Sequence, residues 1–381
     1  MGGESAVAGR EEPKSAEDAA TLLEDSPGPV RFTGGGTKLG WGAAGDDPQL
    51  ELSTRGLDRV LEHNAGDLTA LLKAGVPLAA AQERFAAAGQ MLALDPPDPG
   101  GATIGGVIAS GDSGPLRHRF GGVRDLVLGV KLALADGSLA HAGGKVIKNV
   151  AGYDLGKLVS GSFGTLGLIA EVAVRLHPRP EHTVTAAGGT VDAAQLGRAA
   201  LELAHAPIEA LALDVRWGGG DGALLAQFGG ASPREPAEKA LRLMEGAGLN
   251  GSLVEDDAEV WRRQRDGQRS QTGTVVRVSG RLTQLGAACE GAGRLGGRLV
   301  GRAGLGLYWI TVEDDAPSAV AELRRRLAPS PCAVLDAPAE VRAAVDPWGP
   351  VDEGALALMR RVKERFDPGG VCNAGIYVGG I

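Results

Sequence analysis

Glycines followed by a hydroxyl and a cation form the first group of residues that could bind a ligand. The segment Gly34-Gly35-Gly36-Thr37-Lys38 comes directly after a predicted strand. Consecutive glycines allow several backbone N–H groups to converge on an anion, because no Cβ atom keeps a phosphate away. Thr37 would add a hydroxyl donor and Lys38 a positive charge. The segment matches neither G-x-G-x-x-G nor G-x-x-x-x-G-K-[ST], so alone it is more typical of a plain turn than of a nucleotide site.

A second segment of similar composition begins at Ala102 and ends at Gly114. It is too polar for a hydrophobic core and too regular for a linker. Gly105 and Gly106 would let a flat isoalloxazine ring lie on the backbone. Hydroxyl partners for the ring edge and the ribityl chain would come from Thr103, Ser110 and Ser113. Together the two segments indicate a flavin dinucleotide, and we expect them to contact opposite ends of one FAD.

The elements that must position these segments are strands interspersed with helices. The sequence predicts helices at 16–23, 77–90 and 154–160, and strands at 29–33, 50–53, 127–135 and 167–176. Two prolines in 177–180 predict a domain boundary, since proline ends helices and strands. Two similar series of strands and helices follow, and they predict one antiparallel α+β layer with an internal repeat. A helix at 352–366 precedes an apolar tail that we expect to return to the first domain.

Composition excludes several classes of protein. The net charge of −8 argues against a nucleic-acid surface, which needs an excess of Lys and Arg. Three cysteines are too few for a self-contained iron–sulfur cluster and fit a reducing compartment. The N-terminus lacks the apolar core of a secretion signal, and no apolar run approaches the roughly 18 residues of a membrane span. We therefore expect a cytoplasmic protein, with any membrane association made through partner subunits.

The glycine segments resemble the FAD-binding domain of the vanillyl-alcohol oxidase and p-cresol methylhydroxylase (PCMH) superfamily. Within it, Gly89-Gln90-Met91-Leu92 and residues 148–155 and 161–167 resemble the FAD-binding subunits of glycolate oxidases. The resemblance is strong over 16–180, moderate in the C-terminal tail, and limited elsewhere to the layout and Trp261-Arg262-Arg263. It implies an α+β fold. The expected parts are a disordered N-terminus (1–15), a two-subdomain PCMH-type FAD-binding domain (16–180), an antiparallel cap of ferredoxin-like repeats (181–341), and a C-terminal helix and tail (342–381).

The same resemblance implies roles for individual residues. The pyrophosphate would be held by Gly34, Gly35, Gly36 and Thr37, with Lys38 nearby. The flavin would be lined by Thr103, Ile104, Gly105, Gly106, Ser110 and Ser113. Ile169 would lie against the adenine side through its backbone, and Asn373 would approach the isoalloxazine. Some relatives attach FAD covalently through a His near the first segment or a Cys beside the second; Gly36-Thr37 and Gly101-Ala102 stand there instead, so we expect noncovalent FAD.

Histidine content bears on the reaction. Relatives that oxidise 2-hydroxy acids carry a histidine cluster in the cap, where a cation anchors the substrate carboxylate and lowers the pKa of the hydroxyl. The six histidines of this chain show no ligand spacing, and His205 is placed at a helix C-terminus, where positive charge is favourable. We therefore expect no metal site.

The sequence does not decide which residues are catalytic. Arg117, Arg119 and Arg124 could stabilise a reduced flavin or bind a carboxylate, although a solvated loop or a subunit contact is more typical of such a run. Lys148 and Tyr153 could act on substrate, or form a turn and pack before a helix. Trp261, Arg262 and Arg265 could reach the flavin or simply pack within the cap.

Three functions are compatible with these features. The first is an FAD-binding subunit of a glycolate oxidase-type complex that oxidises small 2-hydroxy acids, accepting or relaying electrons beside a larger homologous FAD subunit and an iron–sulfur subunit. The second is a self-sufficient FAD-dependent 2-hydroxy-acid oxidoreductase. The third is a flavin-free scaffold.

Overall fold

The computed structural model describes residues 9–98, 100–144 and 154–381. Strands and helices of the first part are β1 (Gly9–Glu11), α1 (Ala16–Glu24), β2 (Val30–Thr33), β3 (Leu50–Ser53), β4 (Val60–Asn64), β5 (Thr69–Lys73), α2 (Leu78–Ala86), β6 (Gln90–Met91), α3 (Ile104–Ser110), α4 (Arg117–Phe120), α5 (Val123–Leu126), β7 (Val127–Ala133), β8 (Leu139–Gly143), α6 (Leu155–Val159), β9 (Leu168–Arg175) and β10 (His177–Pro178). The disorder expected for 1–15 is wrong from residue 9 onward, because β1 pairs with β3; residues 1–8 lie outside the described ranges.

The first part folds as two subdomains, as expected. A parallel sheet of order β1-β3-β2 packs beside α1, whose buried face carries Ala16, Ala19, Ala20 and Leu23. An antiparallel sheet of order β4-β5-β9-β7-β8 forms the second subdomain, with α2 and α3 covering its core. Alternating apolar residues on β7 and β9 supply that core, which is the pattern that predicted both strands.

Prolines do not end the regular structure at 177–180. His177 and Pro178 form a short antiparallel ladder with Met91 and Gln90. Proline lacks only its own N–H, so a two-residue ladder that uses the other backbone groups can accommodate it. These two residues therefore pair within the FAD-binding domain, and the domain boundary at 177–180 stays a prediction.

The cap follows with the elements β11 (Thr183–Thr190), α7 (Ala193–His205), β12 (Ala212–Gly218), β13 (Asp221–Gly229), α8 (Arg234–Gly246), β14 (Asn250–Val254), α9 (Ala258–Asp266), β15 (Thr274–Ser279), α10 (Leu285–Arg294), β16 (Arg298–Arg302), β17 (Leu307–Val312), α11 (Ala316–Arg326) and β18 (Cys332–Val334). Two βαββαβ series, β11 to β14 and β15 to β18, form one antiparallel sheet of order β14-β11-β13-β12-β16-β17-β15-β18. Each half has the same strand order about the β12–β16 junction. The ferredoxin-like repeat is confirmed.

Helices α12 (Ala339–Ala344) and α13 (Glu353–Phe366) lead into the tail. The Val30 amide donates to the Val371 carbonyl at 2.8 Å, and the Asn373 amide donates to the Val30 carbonyl at 2.9 Å. The tail thus runs beside β2, the strand that enters the first glycine segment. Over the described parts of the chain, no helix combines the length and apolar character needed to cross a bilayer.

Candidate FAD site

One cavity of about 710 Å³ lies where both glycine segments and the C-terminal tail meet. It is lined by the residues predicted to hold the pyrophosphate and by part of the second segment. Those predicted residues that line it are Gly34, Gly35, Gly36, Thr37, Lys38, Thr103, Gly105, Gly106, Ser110, Ile169 and Asn373. A cavity of this size is in the range of cofactor sites.

The two glycine segments touch each other. A Cβ atom at Gly34 would collide with the Thr103 hydroxyl, and one at Gly35 would overlap the Gly101 carbonyl oxygen. The two segments thus form adjoining walls of one cradle, and the end of FAD that each one contacts stays a prediction. Glycine at 34 and 35 is therefore required by the close contact between the two segments.

The second segment is a helix rather than a loop. Thr103 caps α3, with its hydroxyl accepting from the Gly106 amide at 3.2 Å. Gly105 is buried, and a Cβ there would come within 2.7 Å of the Ala74 Cβ. Gly105 is therefore required for packing of α3 on the chain after β5. Gly106, by contrast, is exposed on the cavity side.

Two predicted flavin contacts do not line the cavity. Ile104 is buried in the core of the second subdomain. The Ser113 hydroxyl accepts from Arg117 Nη1 at 3.2 Å, and its carbonyl accepts from Gln268 Nε2 at 3.2 Å and Arg302 Nη2 at 3.4 Å. Ser113 thus connects to the cap. The view that this segment is too polar for a core is also wrong, because Thr103, Ser110 and Ser113 are all buried with hydrogen-bond partners.

Lys38 brings a buried positive charge to the cavity wall. Its Nζ lies 3.3 Å from Asp112 Oδ2, and both side chains are largely buried. The same Nζ is 5.6 Å from the Trp41 ring centroid. No hydrogen bond satisfies Lys38 Nζ or Asp112 Oδ2 within the described residues. Asp112 thus supplies a charged partner without a hydrogen bond, and an anionic ligand in the adjoining cavity would give Lys38 Nζ an acceptor.

Asn373 fixes the tail against the cavity. Its backbone has a φ of +42°, its Oδ1 accepts from the Phe32 amide at 2.8 Å, and its Nδ2 donates to the Phe163 carbonyl at 2.6 Å. Asn tolerates this left-handed region better than most residues. Phe163 also lines the cavity and has a φ of +56°. Asn373 therefore holds two walls of the cavity together.

The cap presents an unpredicted cation, Arg277 on β15. It lies beside Trp309 in the sheet, and the neighbouring Val275 packs in a cluster with Trp41. Arg277 Nε makes no hydrogen bond to the described residues. Burial lowers the pKa of Arg277, while the charge of Asp112 raises it and that of Arg117 lowers it further. The sequence signal was a lone charge in the otherwise apolar strand TVVRVS.

The three arginines proposed as catalytic candidates separate in the structure. Arg117 is half-buried beside Ser113, and desolvation lowers its pKa. Arg119 is exposed and pairs with Glu209 of the cap at 2.8 Å. Arg124 is exposed. Lys148 and Tyr153 lie outside the described residues.

Trp261 packs within the cap. It is buried against Ala212 and Leu225, and its Nε1 donates to Thr185 Oγ1 at 2.8 Å. Arg262 is exposed and pairs with Glu259 and Asp266 on its own helix. The packing alternative holds for Trp261, and Arg262 lies on a solvated face.

Histidines occupy separate structural positions. His63 Nε2 lies 2.9 Å from Gln90 Oε1, and the His177 ring packs 4.6 Å from that of Phe120. His205 ends α7, with its Nδ1 2.8 Å from the Leu201 carbonyl. These contacts account for the three side chains as structural groups.

Comparison with known proteins identifies the cofactor. Residues 7–143 match the family of the FAD binding domain. The chain is 39% identical to glycolate oxidase subunit GlcE of Escherichia coli over 127 residues, which cover 33% of this chain and 36% of that protein. It is 35% identical to glycolate oxidase subunit GlcD of Bacillus subtilis over 179 residues, 46% of this chain and 37% of that protein.

A third relative is D-lactate dehydrogenase of Archaeoglobus fulgidus, 36% identical over 172 residues, 44% of this chain and 38% of that protein. The matches thus span little more than a third of the length of these curated relatives. Alkyldihydroxyacetonephosphate synthase has the same fold, with a TM-score of 0.69 and 15% identity over 96% of this chain and 75% of that one. The matched residues 7–143 include both glycine segments of the cradle, so this part of the chain is similar to the FAD binding domain, and the cofactor is FAD.

Proposed function

We propose that this chain is an FAD-binding subunit of a glycolate oxidase-type complex that oxidises small 2-hydroxy acids. The observation that supports it is the single cradle built by Gly34-Gly35-Gly36-Thr37, Thr103 and Asn373. The relatives named as glycolate oxidase subunits favour the same reading. The proposed partners are a larger homologous FAD subunit and an iron–sulfur subunit.

Chemistry in such a site divides between cofactor and protein. FAD, when bound, would accept a hydride from the carbon that carries the substrate hydroxyl. The glycine segments would hold the anionic end of FAD through backbone N–H groups, and Lys38 would add positive charge there. Trp41 and Phe163 give the cavity an apolar wall, which restricts water.

The subunit role rests on the sequence as well. None of the six histidines has the spacing of the cap cluster that hydroxy-acid-oxidising relatives carry. Without a cation to lower the hydroxyl pKa, abstraction of the substrate proton and hydride would fall mainly to a partner. This chain would then accept or relay electrons.

Arg277 favours the second candidate, a self-sufficient oxidoreductase. Its guanidinium lies on the cap sheet near Arg117, and its Nε has no partner in the described part of the chain. Arginine binds carboxylates through two parallel hydrogen bonds. A 2-hydroxy acid held there would be oxidised by this chain's own FAD.

Purification from the native cell tests the first candidate. A tagged chain should bring down a larger homologous flavoprotein and an iron–sulfur protein, and glycolate-dependent dye reduction should require that flavoprotein. Robust turnover by the FAD-loaded chain alone would contradict the subunit role.

Anaerobic titration separates the two candidates. Glycolate or D-lactate added to the FAD-loaded chain alone should leave the oxidised flavin spectrum unchanged under the first candidate and bleach it under the second. If bleaching occurs, Arg277→Met should weaken it, whereas Arg216→Met, an exposed arginine of β12 in the same sheet, should not.

A further inference from the structure

The segment that leaves the first glycine run is held at both ends by the cap. Arg269 Nη2 donates to the Thr37 carbonyl at 3.0 Å, and Trp41 Nε1 donates to Asp336 Oδ1 at 2.8 Å. Thr37 and Trp41 line the FAD cavity, whereas neither Arg269 nor Asp336 is among its lining residues. The two cap residues therefore act on the cavity through the segment 37–41.

Arg269 and Asp336 form a well-defined pair, here named the cap clamp. Arg269 Nε lies 2.6 Å from Asp336 Oδ2, and Arg269 Nη2 lies 3.0 Å from Asp336 Oδ1. The side chains are only 19% and 12% exposed. Such two-pronged, charge-assisted pairs are stronger and more directional than exposed ion pairs.

The cap clamp is anchored in the cap sheet. The Val275 amide of β15 donates to the Asp336 carbonyl at 2.8 Å, and the Ser270 amide donates to Asp336 Oδ2 at 3.1 Å. The Arg269 guanidinium also lies 5.1 Å from the centroid of the Trp41 ring. The position of β15 is thus transmitted to Thr37 through Asp336 and Arg269.

The hydrogen bond to Thr37 supports the three glycines that precede it. Three consecutive glycines have more backbone freedom to lose than other residues, so holding their N–H groups toward an anion is entropically costly. An external hydrogen bond to the Thr37 carbonyl removes part of that freedom before FAD arrives. Preorganisation of this kind raises affinity without a new contact to the ligand.

We propose that Arg269 and Asp336 are positioning residues that couple FAD binding to docking of the cap on the FAD-binding domain. Coupling between two events is reciprocal, so bound FAD tightens the cap contact by the same factor that the cap contact tightens FAD. The proposal concerns cofactor affinity and holds for either candidate function.

Substitution of Arg269 in the full chain tests it. Arg269→Ala should raise the FAD dissociation constant by about tenfold or more, a usual size for coupling between sites. Arg269→Lys keeps the charge but loses the fork, so its FAD affinity should lie between those of the wild type and Arg269→Ala. Arg262→Ala removes an exposed ion-paired arginine of α9 and should leave FAD affinity unchanged. Flavin fluorescence titration of the FAD-stripped proteins measures all four constants.

A merely structural role predicts another outcome. Arg269→Ala would then lower the melting temperature of the FAD-free protein while leaving the FAD dissociation constant unchanged, and this result would overturn the proposal. If neither Arg269 variant folds, hydrogen exchange in the wild-type protein tests the proposal instead. Hydrogen exchange at the Ser270 amide, which bonds to Asp336, should slow when FAD is added. Equal exchange with and without FAD would reject the coupling.

Discussion

At the scale of single residues, the site depends on where side chains are missing. Gly35 shows this most directly, since its Cβ position coincides with the Gly101 carbonyl oxygen of the second segment. Gly35→Ala must push the two segments apart and so widen the cradle. We expect FAD affinity to fall by about tenfold or more, and the free energy of unfolding to fall by about 1–3 kcal/mol, the usual cost of overpacking. Flavin fluorescence titration and denaturant unfolding measure the two effects.

The matched control is Gly246→Ala at the end of α8, where a Cβ meets no atom within 4 Å. This change should leave FAD affinity unaltered, because Gly246 is not among the cavity residues. Equal FAD affinity in the Gly35→Ala and wild-type proteins would show that the segments need no close contact.

Residue types alone predicted the first segment and missed part of the second. Gly34 to Lys38 come directly after β2, so the sequence alone placed them in the turn at the end of that strand, where they line the cavity. Ile104 faces the core because a helix turns successive residues to different faces. Ser113 follows the helix, and its carbonyl contacts the cap through residues distant in sequence. Arg277 was not singled out because its position beside Trp309 depends on a sheet pairing distant in sequence.

At the scale of elements, strong periodicity was sufficient for most helices and strands. The predictions at 16–23, 50–53 and 352–366 lie within a residue or two of α1, β3 and α13. Helix α3 was missed because Gly105 and Gly106 lower helix propensity. Its packing against Ala74 and the Thr103 cap override that preference. Strand order in the cap depends on non-local pairing and could be inferred only from the repeat.

The junction between α3, the cap sheet and the chain after β6 buries several charges together. Burial raises the pKa of Asp95 to about 7, despite the nearby positive charges of Arg302 and Arg265, and Asp214 raises it further. Arg302 pairs with Asp214 at 2.8 Å with both side chains fully buried, and burial raises the pKa of Asp214 to about 6. The Asp95 carboxyl still accepts from the Leu116 amide at 3.1 Å.

This raised pKa predicts a pH-dependent stability. The folded protein binds the Asp95 proton more tightly than the unfolded chain, so the stabilising effect is full below the unfolded pKa of 3.8 and is lost as pH rises through about 7. Asp95→Asn keeps the acceptor for Leu116 and removes the titration. Its melting temperature relative to wild type should therefore increase between about pH 4 and pH 8.

Thermal unfolding across that pH series measures the difference. Asp221→Asn, which removes an exposed carboxyl at the start of β13, controls for the loss of one negative charge. If the Asp95→Asn and wild-type melting temperatures run parallel over the whole series, the pKa of Asp95 does not change on folding and the prediction is wrong.

At the scale of the whole molecule, the cap and the tail close around the FAD-binding domain from two sides. The cap reaches the first glycine segment through Arg269, and Arg342 Nη1 donates to the Gly42 carbonyl at 3.2 Å. The tail reaches the same region through Asn373 and through the Ile376 carbonyl, which accepts from the Ala43 amide at 2.9 Å. The FAD-binding domain and the tail thus line one cavity, and the cap contacts its wall from outside, so ligand bound there should stabilise all three parts together.

Among the described residues that line the cavity, none is a histidine, a cysteine or a tyrosine. Cys289, Cys332 and Cys372 are buried and do not line the cavity. Burial raises the pKa of Cys289 to about 12 and that of Cys332 to about 11, and it also raises the pKa of Cys372, so the nucleophilic thiolate is disfavoured.

Acid precipitation of the FAD-loaded protein should therefore leave the flavin in the supernatant and a colourless pellet, because unfolding destroys a cradle made only of noncovalent contacts. Absorbance of both fractions measures the partition, with a covalently flavinylated protein as the control that keeps its colour in the pellet. A yellow pellet from this chain would instead require a bond to FAD, and peptide mass mapping would then locate the attached residue.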